Sequence, residues 1–188
     1  MSNNSNKIYD ESIIFIGPSG AGKSTVAEVL SKRLNMPRLC LDRIANWARG
    51  NGIRKKFKSS DEFNSFMILE AIKRAKEQGI PGIVDFGAGH SIYEDDEIFE
   101  IVKMGMKPFK NVVLLLPCEN EEEALRIMKE RSTGDTNDNL MFLRSKCNKE
   151  LATMTVYGNG RTPDEIADEI LGKISERRVK DQKEDEVK

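Results

Sequence analysis

A short glycine-rich segment near the start of the chain constrains the fold more than any other feature. It reads GPSGAGKST at residues 17–25 and follows the apolar run IIFI at 13–16. The pattern G-x-x-x-x-G-K-[ST] acts as a phosphate-binding loop only where a β-strand enters it and an α-helix leaves it. The residues after the loop place an apolar stripe on one helical face, formed by Val26, Val29, Leu30 and Leu34. The chain therefore begins with a strand–loop–helix unit.

The residue types in this loop suit a bound phosphate group. Glycines permit positive φ, which turns successive backbone N–H groups toward one anion, and the following helix adds the positive end of its dipole. Lys23 can neutralise the β- and γ-phosphates of a nucleotide, and Ser24 can offer a hydroxyl to Mg²⁺. A glycine-rich turn without a ligand is the alternative. We predict nucleotide binding by the whole loop, which comprises Gly17, Pro18, Ser19, Gly20, Ala21, Gly22, Lys23, Ser24 and Thr25.

Four further apolar runs resemble the one before the loop. They are RLCL (38–41), GIVDF (82–86), NVVLLL (111–116) and MTVY (154–157). Uniformly apolar runs are typical of strands buried on both faces of a parallel sheet. Helical patterns lie between the runs, and capping signals open three of them, at Ser59, Asn120 and Thr162. The alternation predicts a three-layer α/β/α fold around a five-stranded parallel sheet.

Length and charge narrow the class of protein. A chain of 188 residues fits one domain, and its net charge of −1 argues against nucleic-acid or membrane partners. The polar ends, residues 1–11 and 175–188, are expected to be disordered, leaving 12–174 as the folded domain. Widely spaced cysteines argue against a disulfide scaffold or zinc site and indicate a cytoplasmic setting; they are Cys40, Cys118 and Cys147.

Two aspartates are placed to complete a site beside the loop. Asp42 follows RLCL, and Asp85 lies within GIVDF, just before the glycine-rich GAGHS at 87–91. Parallel strands bring their carboxyl ends to one edge of the sheet, where α/β proteins bind ligands. One carboxylate could hold water molecules of Mg²⁺ while the other takes or orients the proton of an acceptor hydroxyl. For each aspartate, capping of a backbone turn is the alternative.

Four segments together resemble the shikimate kinase group of P-loop kinases, relatives in fold of the nucleoside monophosphate kinases. They are the loop itself, LDRIANWARGNGI (41–53), IVDFGAGHS (83–91) and GRTPDEIADEIL (160–171). The resemblance spans roughly residues 12–174. It implies a sheet in the order 2-3-1-4-5, ATP with Mg²⁺ as the phosphoryl donor, and a mobile lid over about residues 132–140.

The resemblance also implies roles for single residues. Asp42, which precedes Gly50 by eight positions, would contact the acceptor hydroxyl. The acceptor pocket would include, besides Asp42, the residues Asn64, Gly87, Ala88, Gly89 and His90. For His90, a hydrogen bond within its own loop is an equal alternative. The adenine would lie against Arg131, Arg161 and Pro163.

Several positions depart from the shikimate kinase pattern. Cys40 replaces the first of two acidic residues, and Asn64 replaces an arginine that binds the substrate carboxylate. A lid arginine has its counterpart near Asp138, and Ala88 interrupts a triple glycine. A carboxylate-bearing acceptor requires arginine partners, so these departures favour an acceptor other than shikimate. Asp85, where the family has a small residue, would then replace the missing acid.

These observations predict an ATP- and Mg²⁺-dependent phosphotransferase that acts on a hydroxyl of a small-molecule acceptor. Lys23, Asp42 and Asp85 would be catalytic, with Ser24 and Asp85 at the metal. A regulatory module that binds ATP without transferring phosphate is one alternative, and the choice between monomer and dimer stays open. Another alternative is a nucleoside or nucleotide kinase, whose acceptor side would use Arg43, Arg49 and Arg54.

Overall fold

Five parallel strands form the centre of the molecule in a computed structural model that describes residues 3–131 and 136–186. The strands are β1 Ile13–Ile16, β2 Arg38–Cys40, β3 Ile83–Asp85, β4 Val112–Leu116 and β5 Met154–Tyr157. Every pair of neighbouring strands is parallel, and their order is β2-β3-β1-β4-β5. Both the predicted strand number and the predicted order are confirmed.

Helices in the described residues cover both sides of this sheet. They are α1 Asn3–Glu11, α2 Lys23–Leu34, α3 Leu41–Gly50, α4 Ser60–Gln78, α5 Asp96–Met106, α6 Glu121–Arg131, α7 Thr136–Arg144, α8 Lys146–Leu151 and α9 Pro163–Glu186. Helices α2 and α9 pack on one face of the sheet. Helices α1, α4, α5 and α8 contribute to the core on the other face. The three-layer α/β/α prediction is therefore confirmed.

The first strand shows why its sequence is apolar at every position. Ile13 and Phe15 pack in the cluster formed with α2 and α9, whereas Ile14 and Ile16 pack in the cluster on the opposite face. All four side chains are at most 1% exposed. A central strand with helices on both faces has no solvent-facing side, so the sequence does not alternate with polar residues.

Helix boundaries follow the capping signals in the sequence. The Ser59 hydroxyl accepts a hydrogen bond from the N–H of Glu62 at 3.0 Å, which begins α4. That helix ends at Gly79, whose φ is 67°. Asn120 and Thr162 accept equivalent bonds at the starts of α6 and α9. These caps hold the helices in place over the sheet.

The structure corrects the expectation of disordered ends. Residues Asn3–Glu11 form α1, and its Ile8 is fully buried in the core. Tyr9 packs edge-to-face against Phe109, with ring centroids 5.1 Å apart. At the other end, α9 continues past residue 174 to Glu186. The prediction of disorder followed the many polar residues at both ends and gave too little weight to Ile8 and Tyr9. Packing of a few apolar side chains against the core is enough to stabilise a helix.

The described residues bear on two further features, the expected lid and membrane-spanning helices. Residues 132–135, the start of the expected lid, lie outside the described residues, and Thr136 begins α7. A mobile lid therefore stays a prediction. Within residues 3–131 and 136–186, no helix has both the length and the apolar character needed to cross a membrane.

Candidate active site

The glycine-rich loop connects β1 to α2 at the carboxyl edge of the sheet. Gly17, Gly20 and Gly22 have φ values of 127°, 74° and 95°, a region that side chains other than glycine rarely adopt. A Cβ on Gly17 would lie 2.5 Å from the carbonyl oxygen of Leu115, so no larger residue fits there. The chain turns directly from Gly22 into α2, which presents its unpaired N–H groups at the loop. This geometry suits a bound anion.

Lys23, the first residue of α2, bends back over the loop. Its Nζ donates to the carbonyl oxygens of Gly17 at 2.9 Å and Pro18 at 2.8 Å, and the side chain is buried. Burial lowers the pKa of Lys23 to about 8, against the opposing pull of Asp85 and Asp42. An ammonium group in this setting is under-compensated, because burial penalises its charge. A phosphate group would supply the missing negative charge.

Asp85 ends β3 and faces the same loop. Its Oδ2 accepts a hydrogen bond from the Ser24 hydroxyl at 2.6 Å and another from Arg38 Nη2 at 2.9 Å. The side chain is 3% exposed. Asp85 is also the partner of Cys40 in the register between β3 and β2. The carboxylate thus lies one strand away from the position where the shikimate kinase pattern has its first acid.

Ser24 and Asp85 fit a magnesium ion that is bound together with a nucleotide. Among the described residues, no group of three or more His, Cys, Asp and Glu gathers into a metal cluster. Mg²⁺ commonly uses only one or two protein oxygens and takes its other ligands from phosphate groups and water. A hydroxyl and a carboxylate 2.6 Å apart beside a phosphate-binding loop match that requirement.

Asp42 lies in the first turn of α3 and contacts the glycine segment after β3. A Cβ on Gly87 would lie 1.8 Å from Oδ1 of Asp42, so the carboxylate fits only because residue 87 is glycine. His90 Nδ1 is 3.5 Å from the same oxygen. Asn64 of α4 donates from Nδ2 to the carbonyl oxygen of Gly89 at 3.0 Å. The predicted acceptor residues are therefore neighbours, although Asn64 is largely buried and holds the glycine segment.

One open cleft of 440 Å³ extends from the loop to some of the other predicted residues. Asp42 and Ala88, which were predicted at the acceptor, line it, and so do Arg131, Arg161 and Pro163, which were predicted at the adenine. Asn64, Asp85, Gly87, Gly89 and His90 are not among its lining residues. Arg161 is itself bound, since it donates to the carbonyl oxygens of Tyr157 and Glu165 and pairs with Glu169. Its contacts order the segment between β5 and α9.

Sequence reasoning missed two contributors to this site. Arg38 was not singled out, although an arginine that opens an otherwise apolar strand needs a buried partner. Phe86, which is 2% exposed, lines the cleft between Asp85 and the glycine segment. Phe86 directly follows Asp85 at the end of a strand, and this position in the sequence could have indicated that it lies at the site.

A phosphate-binding loop at the carboxyl edge of a parallel sheet in the order 2-3-1-4-5, with two aspartates beside it, defines a P-loop kinase. Enzymes of this class move a phosphoryl group from ATP to a second substrate. The family model described as shikimate kinase matches residues 19–175. The chain therefore belongs to the shikimate kinase family and is a small-molecule kinase.

Individual relatives agree with this assignment. Shikimate kinase of Corynebacterium efficiens is 26% identical over 167 residues, which cover 85% of this chain and 94% of that protein. The structure of Acinetobacter baumannii shikimate kinase in complex with shikimate superposes with a TM-score of 0.66 at 20% identity, covering 93% and 98% of the two chains. A gluconokinase from Sinorhizobium meliloti superposes with a TM-score of 0.55 at 15% identity, again covering 93% and 98%. The two structural likenesses show a shared fold.

Proposed function

We propose that this kinase uses ATP with Mg²⁺ and phosphorylates a hydroxyl of a small metabolite other than shikimate. The observation that carries the proposal is the 2.6 Å contact between the buried Asp85 and Ser24, since Ser24 lines the same cleft as Asp42. A metal held by Ser24 and Asp85 and an acceptor held by Asp42 would then lie at separate positions across the end of one phosphate-binding loop. That separation is what in-line transfer between a nucleotide and a hydroxyl requires.

The loop and α2 would hold the triphosphate. Backbone N–H groups and Lys23 would compensate its charge, while Ser24 and Asp85 would hold Mg²⁺, which neutralises the β- and γ-oxygens when it is bound. Asp85 takes the place of the acid missing at 40, because the two positions are paired across β2 and β3. Positioning and charge compensation supply most of the acceleration in phosphoryl transfer.

Asp42 would orient the acceptor hydroxyl and accept its proton. Its side chain is 58% exposed and opens into the cleft, in contrast to buried Asp85. An exposed carboxylate needs no metal to compensate it and stays available to a hydroxyl group. Asp42 and Asp85 therefore divide the acceptor and metal roles between them.

Shikimate is a poor match for the acceptor side. The position of the carboxylate-binding arginine holds Asn64, whose amide already bonds to Gly89. An amide offers no charge to a carboxylate, and hydrogen bonds between charged groups are roughly twice as strong as neutral ones. The fold is also that of a gluconokinase, so an acceptor without the shikimate ring is compatible with it.

An ADP-release assay across a panel of acceptors tests the proposal. The panel holds shikimate, gluconate and other sugar acids, sugars, cyclitols, nucleosides and aminoglycosides, each with ATP and Mg²⁺. We expect Mg²⁺-dependent transfer to at least one member other than shikimate, and its loss in Asp42→Asn with ATP binding retained. Efficient turnover of shikimate alone would refute the acceptor part. Tight ATP binding without transfer to any member would favour the regulatory module.

A nucleotide acceptor is the second candidate, and two arginines favour it. The guanidinium carbons of Arg49 and Arg54 lie 5.5 Å and 5.8 Å from the ring centre of Phe63, next to Asn64. Within the described part of the chain, neither forms an ion pair with a carboxylate; Arg49 donates to Asn46 and Arg54 to Phe57 and Ser60. Guanidinium groups that are not paired with a carboxylate suit a phosphate-bearing acceptor. Nucleoside monophosphates therefore belong in the same panel.

A further inference from the structure

His90 is a buried polar side chain without a satisfied partner. It is 3% exposed, and within the described residues neither ring nitrogen makes a hydrogen bond of acceptable geometry. Its backbone is fixed, because its N–H donates to Gly87 at 3.0 Å and its carbonyl accepts from the Tyr93 hydroxyl at 2.9 Å. Buried polar groups are nearly always paired, so an unpaired imidazole next to Asp42, which lines the cleft, calls for an explanation.

The carboxylate of Asp42, the proposed acceptor residue, approaches the ring. Nδ1 lies 3.5 Å from Oδ1 of Asp42, at the outer limit of a hydrogen bond. Asp42 is 58% exposed toward the cleft and His90 is buried, so the imidazole stands behind the carboxylate. Hydrogen bonds among catalytic groups are often long before substrate binds and shorten in the complex.

We infer that His90 is a positioning residue for Asp42: its ring carries the proton on Nδ1 and donates a hydrogen bond to Oδ1, which leaves Oδ2 for the acceptor hydroxyl. The inference deepens the proposed function and rests on it. During transfer, the acceptor oxygen bonds to the γ-phosphorus while the bond from that phosphorus to the bridging oxygen breaks. ADP leaves with that electron pair, the hydroxyl proton moves to Oδ2 of Asp42, and the imidazole proton stays on Nδ1.

The charges around the ring are compatible with a neutral imidazole. Asp42 and Arg49 face it from α3, Lys23 faces it from α2, and the Gly87 carbonyl faces it from its own loop. Burial is the largest influence and lowers the pKa of His90 below its ordinary value; Arg49 and Lys23 lower it further, whereas Asp42 and the Gly87 carbonyl raise it. A neutral ring has one N–H, and the hydrogen bond it makes decides which nitrogen carries it.

The ring can be observed directly, because His90 is the one histidine in the sequence. Long-range ¹H–¹⁵N spectra of the full chain report which nitrogen is protonated, without any acceptor present. We expect the Nδ1–H form in the unsubstituted protein and a shift toward Nε2–H in Asp42→Ala. Asp96→Ala removes an exposed carboxylate of α5 that is not among the charged groups acting on the ring, and it should leave the spectrum unchanged. An Nε2–H form in the unsubstituted protein, or an unchanged form in Asp42→Ala, would overturn the inference.

Kinetics with the acceptor found in the panel test the consequence for transfer. His90→Leu should lower kcat about tenfold to a hundredfold, the factor that a hydrogen bond to a charged group carries, with an unchanged KM for ATP. His90→Asn should retain kcat within a few-fold, because its amide nitrogen lies near the Nδ1 position. If kcat falls equally in both variants while ADP binding is intact, His90 acts only through packing and the inference is wrong. If no acceptor reacts, the proposed function fails while the spectra still decide the pairing.

Discussion

Replacing Asp85 by asparagine tests the metal position. Oδ2 of Asp85 accepts from both Ser24 and Arg38, and the side chain is 3% exposed. Asparagine keeps the shape but removes the charge, so Mg²⁺ loses its carboxylate. Loss of a group that supports a metal typically weakens its binding by about 10- to 100-fold. We expect the Mg²⁺ concentration for half-maximal activity to rise at least roughly tenfold by this reasoning.

The same substitution should also lower stability without metal. Removing one partner of a buried ion pair costs about 3–5 kcal/mol. Arg38 is 24% exposed and has Glu28 at 3.9 Å, which reduces the loss to about 2 kcal/mol. For a chain of this size, that loss lowers the melting temperature by roughly 4–8 °C. Adding Arg38→Met to Asp85→Asn should restore part of the melting temperature but none of the magnesium affinity.

Magnesium titrations of transfer and of ATP binding measure the outcome. Asp42→Asn is the matched control, because it removes one carboxylate charge from the cleft that Ser24, the partner of Asp85, also lines. It should lower kcat steeply and leave the magnesium midpoint and ATP affinity close to those of the unsubstituted protein. An unchanged midpoint in Asp85→Asn together with a shifted one in Asp42→Asn would mean that the two roles are reversed.

Further predictions concern the loop and the acceptor. Lys23→Ala should lower transfer by several orders of magnitude while a melting curve shows a folded protein, and unchanged turnover would contradict the phosphate-binding role. Gly87→Ala should reduce kcat but not ATP affinity, because its Cβ would lie 1.8 Å from Oδ1 of Asp42; unchanged kcat would place Asp42 outside the reaction. Shikimate should have a KM above the millimolar range, since two lost arginine contacts at about 1.5–3 kcal/mol each weaken binding roughly a hundredfold or more; a lower KM would show a mislocated pocket. Because the pKa of Lys23 is lowered to about 8 in the folded protein, the unfolded chain binds more protons than the folded one between pH 8 and 10.5. The free energy of unfolding should therefore rise with pH over that window, and it should rise less in Lys23→Met. Denaturant titrations at several pH values measure this difference.

Apolar runs and helix-capping residues, which are both local in the sequence, account for most of the fold that could be predicted. The run at 13–16 is buried on both faces, so its composition alone indicates a central strand. Ser59 and Gly79 mark the ends of α4 because capping depends on neighbours in the chain. The strand order, in contrast, came from the family resemblance, since periodicity does not specify which strands pair.

Contacts between distant residues account for what the sequence did not predict. Arg38 and Asp85 are 47 positions apart, and only the register between β2 and β3 brings them together. The approach of His90 to Asp42 likewise depends on how α3 meets the glycine segment. The helix at Asn3–Glu11 was missed for a related reason, because Ile8 gains its burial from residues far along the chain.

The hydrogen bond from Arg38 to Asp85 has a consequence for the order in which ligands bind. Before nucleotide arrives, the carboxylate is already balanced by a guanidinium group, so a lone divalent ion would have to displace a cation that is fixed in place. A triphosphate brings several negative charges and reverses that local balance. We therefore expect magnesium to enter as a complex with ATP, and free magnesium to bind the empty protein only weakly.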